Sequence, residues 1–305
     1  MRASFLLAVL FCVGALGGVA LWAASAPRPA FSKAADESID QEGDPSKGQL
    51  IFAAGDCASC HASPGQADRL RLGGGLALAS PYGTFRVPNI SPDPVDGIGA
   101  WKTIDLANAL LSGVSPAGAH YYPAFPYPSY AKMQTSDIRD LMAYLRTLPA
   151  VSGRTPPHDL ALLFRIRRVV GLWKIFYFDR QPIVSEPDRD AAWNRGRYLA
   201  EGIAHCAECH SSRNLFGAIK PETRFAGGTD PQGTGYTPNI TPARIGDWAQ
   251  GDIAEMLKTG NTPNHGRVGS SMNPVVTNTA LLPQSDRDAI AAYIKSLPPR
   301  NTPRP

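Results

Sequence analysis

The sequence has no cysteine to spare. Of the five in 305 residues, Cys12 lies in an N-terminal apolar run and the others form two pairs, Cys57/Cys60 and Cys206/Cys209, so no structural disulfide can be built outside those pairs. No basic block occurs either: 30 Lys and Arg face 26 Asp and Glu for a net charge of +4, which gives no nucleic-acid-binding arm and no nucleic-acid partner. Nor does any stretch alternate apolar and polar residues convincingly, so the expected class is all-α. What is plentiful is Gly (29) and Pro (28). That abundance predicts short helices set in much ordered loop.

The N-terminus reads as an export signal: Met1-Arg2, then Phe5 to Ala24 without a charged side chain, then a polar stretch from Ser25. Twenty residues at about 1.5 Å each reach roughly 30 Å, enough for a bilayer core. An uncleaved transmembrane anchor over 1–26 is therefore expected, with a linker over 27–44, Arg2 on the cytoplasmic side, and the body in the periplasm on the cytoplasmic membrane. The competing reading is cleavage after Ala24-Ser25-Ala26, although Pro27 is a poor start.

The rest of the chain is duplicated. Cys57 and Cys206 are 149 residues apart, as are Tyr144 and Tyr293, and Leu148-Pro149 and Leu297-Pro298; Asn89 and Asn239 are separated by 150, and Trp101 and Trp248 by 147. Five landmarks in one order define two homologous domains, 45–150 and 192–299, joined by a connector over 151–191 and followed by a tail over 300–305. Each domain shows a short amphipathic helix before its cysteines, a Gly/Pro-rich loop, a helix from near Trp101 or Trp248, and a final helix entered at Ser136-Asp137 or Ser285-Asp286 and stopped by Pro149 or Pro298.

The cysteine pairs sit in Cys57-Ala58-Ser59-Cys60-His61 and Cys206-Ala207-Glu208-Cys209-His210. Cys-x-x-Cys-His is the attachment pattern of c-type haem. Two thiols on one helical turn can both reach the haem vinyl groups, and the next side chain can turn its imidazole onto the iron. A thioredoxin-like pair would need a βαβ setting that is absent, and a zinc site would need two further soft ligands in each domain. Two covalently bound haem c groups are expected.

Both halves resemble class I cytochrome c domains, and the whole chain resembles the multihaem cytochrome c subunits of periplasmic dehydrogenases, such as bacterial alcohol and gluconate dehydrogenases. The resemblance rests on Tyr122-Pro123-Ala124-Phe125-Pro126-Tyr127, the two Pro-Asn-Ile-Ser/Thr stretches, Gly97-Ile98-Gly99-Ala100-Trp101, and Asp140 to Leu145. It implies two tandem cytochrome c domains with His61 and His210 as proximal ligands and a distal methionine in each domain. The best-known subunits of this kind carry three haems, whereas this chain has two motifs.

A thioether ligand raises a haem's potential and fills the sixth site. In the second domain Met272, in the loop Ser271-Met272-Asn273-Pro274, is the expected ligand, with Met256 a core residue. In the first, Phe125 stands where related sequences often carry Met, and phenylalanine cannot ligate iron. Met133 takes the role; His120 and an open iron are the alternatives. Tyr121, Tyr122, Phe125, Tyr127 and Tyr130 pack around a haem or dock a partner, and His205 bonds backbone or faces solvent. The connector run Leu160–Phe178, broken by Arg165, Arg167, Arg168 and Lys174, is no membrane span. It reads as an amphipathic helix, either on a bilayer or dehydrogenase interface or strapped across both domains.

The resemblance points to an electron shuttle between a periplasmic dehydrogenase subunit and a respiratory oxidase or quinone-side acceptor, with the membrane as a further partner. No residue is needed as acid, base or nucleophile. The rival class is a dihaem enzyme, a peroxidase or sulfur-compound dehydrogenase, kept open by Phe125.

Overall fold

The computed structural model describes residues 2–32, 39–231 and 235–302. One helical plan is used twice. After α1 (Arg2–Ala24), the first use comprises α2 (Pro45–Ala54), α3 (Cys57–His61), β1 (Ala77–Ser80), β2 (Gly83–Arg86), α4 (Thr103–Ser112), α5 (Tyr127–Tyr130) and α6 (Thr135–Leu145). After the connector elements β3 (Asp159–Leu160) and α7 (Arg168–Tyr177) come α8 (Ala191–Tyr198), α9 (Cys206–Cys209), β4 (Gly228–Thr229), β5 (Tyr236–Thr237), α10 (Pro242–Ile245), α11 (Gln250–Thr259), α12 (Met272–Thr279) and α13 (Gln284–Lys295). A π-helical turn, Leu199–Ile203, extends α8.

Each half is built on a crossing of its first and last helices, α2 on α6 and α8 on α13. Asp44 caps α2 by accepting from the Ser46 amide at 2.8 Å, and Asp190 caps α8 by accepting from the Trp193 amide at 2.7 Å. Such caps satisfy amides that the first helical turn leaves unpaired. The crossing is close because glycine sits at it. A Cβ on Gly48 would lie 1.9 Å from the Asp140 carbonyl oxygen, and one on Gly196 would lie 1.9 Å from that of Ala289. One continuous apolar cluster runs through both halves, from Ile51, Phe52 and Ile138 to Leu199, Ile253 and Ile294.

Three expectations need correction. The chain is not all-α: β1, β2 and β3 form a three-stranded antiparallel sheet, and β4 pairs antiparallel with β5. These strands are two to four residues long, too short for alternation to register in sequence. The transmembrane helix is not borne out, since among the described residues no helix is long and apolar enough to cross a membrane. The location drawn from that anchor, a cytoplasmic membrane with the body in the periplasm, is withdrawn with it.

The helix of the connector is also shorter than the apolar run, because Leu160 pairs with β2 and Leu162–Arg165 form a 3-10 turn instead. What remains, α7, is strapped across the two halves. Lys174 Nζ donates to the carbonyls of Ser112 (2.6 Å) and Gly113 (2.8 Å) at the end of α4, and Trp173 Nε1 donates to that of Phe216 at 2.9 Å. At its start, Arg168 donates to the Trp22 carbonyl at 2.7 Å, which ties the end of α1 to the body.

Candidate functional site

The two Cys-x-x-Cys-His segments form the one-turn helices α3 and α9. Each is entered through a residue in the left-handed region, Asp56 at φ 52° and His205 at φ 39°. Side chains rarely adopt that conformation. Here it reverses the chain sharply after α2 and after the π-helical turn, so that the cysteine turn folds back on the helix before it.

None of the four thiols is in a disulfide. Burial pushes Cys57, Cys206 and Cys209 up to about 12 and Cys60 to about 11. Cysteines that act in thiol exchange are usually shifted the other way, toward thiolate. Among the described residues no group of three or more His, Cys, Asp or Glu could hold a metal ion. The pairs thus lack the further ligands of a zinc tetrad among the described residues, and their thiols can form thioethers.

The histidines have a common arrangement. His61 Nδ1 lies 2.9 Å from the Pro88 carbonyl oxygen, and His210 Nδ1 lies 2.7 Å from that of Pro238. A carbonyl only accepts, so Nδ1 carries the proton and Nε2 the lone pair, the tautomer a ligand to iron requires. Burial keeps both rings neutral, lowering His61 to about 4 and His210 in the same direction.

Each proline belongs to a Pro-Asn-Ile-Ser/Thr stretch whose asparagine fixes it. Asn89 Nδ2 donates to the Val151 carbonyl at 2.6 Å and its Oδ1 accepts from the Ser91 amide at 2.9 Å; Asn239 does the same with Arg300 (2.7 Å) and Thr241 (2.7 Å). The chain leaving each final helix is thus tied beneath the loop that orients the histidine. Pro88 and Pro238 escape a reading of the sequence because they act through backbone. The repeated Pro-Asn pair was their only signal.

The expected sixth ligands fall in unlike settings. Met272 is not in a loop but opens α12, half-buried against the core; Pro274 is compatible with a first helical turn. Met133 is 5 % exposed within the main cluster, and Leu282, 149 residues later, is 3 % exposed in the same cluster. His120 is buried, with Nε2 2.9 Å from the Ser25 carbonyl oxygen. Phe125 lies in a ring web with Tyr121, Tyr127 and Tyr130, at centroid distances of 5.6, 6.3 and 5.8 Å.

Paired half-buried thiols, each pair followed by an imidazole with a backbone-fixed tautomer, define a c-type cytochrome. Residues 45–149 match the family model for Cytochrome c. The chain is 51 % identical over 259 residues to the dihaem cytochrome c-type protein of Cereibacter sphaeroides, covering 84 % of this chain and 86 % of that one. It belongs to the dihaem cytochrome c family. It is also 36 % identical over 258 residues to the fructose dehydrogenase cytochrome subunit of Gluconobacter japonicus, and 31 % identical over 281 residues to the cytochrome c subunit of alcohol dehydrogenase (quinone) of Gluconobacter oxydans. These alignments take in 83 % and 88 % of this chain but only 52 % and 57 % of the two subunits.

Proposed function

We propose that the chain is an electron-transfer cytochrome that receives electrons from a dehydrogenase subunit and passes them to a quinone-side or oxidase acceptor. The chain carries two covalently bound haem c groups. In our reading one sits in a domain over 45–150, held by Cys57 and Cys60 with His61 on iron, and the other in a domain over 192–299, held by Cys206 and Cys209 with His210 on iron. The observation that carries this is the twice-used contact between the motif histidine's Nδ1 and a proline carbonyl.

A bound haem supplies reversible one-electron chemistry at its iron. The protein's own residues do the rest: the cysteines hold the porphyrin edge, the proline carbonyls fix the imidazoles, and the apolar cluster excludes water. For the sixth position of the second haem we carry Met272 forward. For the first, Met133 is the sequence's candidate, but in the duplicated plan it stands where the second half has the core residue Leu282.

The dehydrogenase partner rests on the relatives that are cytochrome subunits of such enzymes. Intact-mass measurement of the matured protein tests the haems, with two added porphyrins expected and one or none overturning the assignment. Purification from the native cell tests the partner. A co-purifying dehydrogenase subunit is expected, and a chain recovered alone in stoichiometric yield removes that part of the proposal.

A further inference from the structure

The two attachment turns do not merely resemble each other; each is held by a side chain from the opposite half. Ser129, on α5 of the first half, donates its hydroxyl to Glu208 Oε1 at 2.9 Å, and Glu208 lies between the cysteines of the second motif. Asn278, on α12 of the second half, donates Nδ2 to Ser59 Oγ at 3.2 Å, and Ser59 lies between the cysteines of the first. Ser59 and Glu208 are 149 residues apart, and so are Ser129 and Asn278. The contacts are the same contact made twice in opposite directions.

The surroundings follow that symmetry. α5 packs against the π-helical turn that leads to the second motif, while α12 packs against α2, which leads to the first. At the equivalent positions before each first cysteine, Asp56 accepts from Asn278, and His205 Nε2 lies 3.3 Å from the Gly55 carbonyl oxygen. Tyr130 donates to that same carbonyl at 3.1 Å and meets the His205 ring edge-on at 5.5 Å. Ser129, Asn278 and Glu208 are all buried. A seam in which residue i of one unit touches j of the other, and j touches i, has the logic of a twofold dimer interface. Here both units are on one chain.

We infer that Ser129 and Asn278 are positioning residues acting across this seam: Ser129 sets the attachment turn of the second haem, and Asn278 sets that of the first. This rests on the reading that both motifs carry haem. A residue that served only its own half would disturb that half's haem first, and a residue that only filled space would not need its hydroxyl.

The test uses the full-length holoprotein with Ser129→Ala and Asn278→Ala, following the hyperfine-shifted haem methyl signals of the two centres through a redox titration. Ser129→Ala is expected to move the signals and midpoint of the haem in 192–299 and leave the other in place. Asn278→Ala is expected to do the reverse. Ser129→Thr, which keeps the hydroxyl, should restore the parent spectrum and serves also if the alanine variant folds poorly. Shifts confined to the substituted residue's own half, or no shift in either variant, would overturn the inference. The mass of the parent protein is read first: fewer than two porphyrins there defeats the haem reading itself, a result distinct from two haems that ignore the seam.

Discussion

Position 52 of the first half and position 201 of the second are equivalent in the duplicated plan, yet one is phenylalanine and the other glutamate. Phe52 meets the ring of Tyr144 edge-on at 5.3 Å, whereas Glu201 accepts from the hydroxyl of Tyr293, the equivalent tyrosine, at 2.6 Å. Around Glu201 stand Arg224, which donates to it twice, and Lys132 of the first half at 3.7 Å. Burial alone would raise the Glu201 carboxyl, but Arg224, Lys132 and the tyrosine hydroxyl outweigh it and hold the group below its usual range. The same backbone site is thus solved once by apolar packing and once by a buried ionic network. The second solution makes that half sensitive to acid, and it also recruits a residue from the first.

The largest test of the comparison removes a motif from one half at a time. Cys57→Ala with Cys60→Ala, and Cys206→Ala with Cys209→Ala, should each reduce the intact mass by one porphyrin while the other haem stays attached. Next come the unlike residues themselves. Phe52→Ala is expected to destabilise by about 3–5 kcal/mol through the cavity it leaves. Glu201→Ala, which strands Arg224 in a largely buried setting, should cost about 3 kcal/mol. Thermal unfolding measures both.

The pH profile distinguishes them further. A carboxyl whose folded value lies below its unfolded one contributes stability above the unfolded value and loses it as pH falls through the folded one. The Glu201 network should therefore weaken below about pH 4.5. Phe52→Ala should leave that acid limb in place, and Glu201→Gln should flatten it. A limb unchanged in Glu201→Gln would assign the acid sensitivity elsewhere.

Smaller effects sharpen the likeness rather than the difference. Gly48→Ala and Gly196→Ala each force a methyl group into a carbonyl and should cost about 1–3 kcal/mol; unequal losses in Tm would show that one helix crossing is more adaptable. Smallest of all is Met133→Leu. Its equivalence to Leu282 predicts an unchanged haem spectrum, whereas Met272→Leu should abolish the low-spin signature of the second haem. A lost low-spin signal in Met133→Leu would place sulfur on the first iron after all.

Much of this was readable beforehand, and the exceptions share a cause. The repeat, the helices around Leu106, Ile138, Ile253 and Ile290, and the cysteine turns announce themselves through side-chain type and spacing. The strands did not, because pieces as short as Gly228–Thr229 carry no period. Ser271-Met272-Asn273-Pro274 reads as loop, yet Met272 opens a helix, since a proline in the first turn breaks nothing. The connector helix is shorter than its apolar run partly because Leu160 pairs with β2, a partner more than seventy residues away, and partly because Leu162–Arg165 form a 3-10 turn. The seam was invisible for a similar reason: Ser129 and Asn278 are ordinary polar residues until the fold sets each beside the other half's cysteines.

The proline carbonyls that orient His61 and His210 have an evolutionary corollary. A side-chain partner for an iron-bound imidazole can be deleted by one base change, but an oxygen of the main chain survives any substitution. Mutation can only re-aim it by altering the loop, and Asn89 and Asn239 are where that aim is set. Drift at these two centres should therefore tune redox behaviour in small steps and seldom abolish it in one.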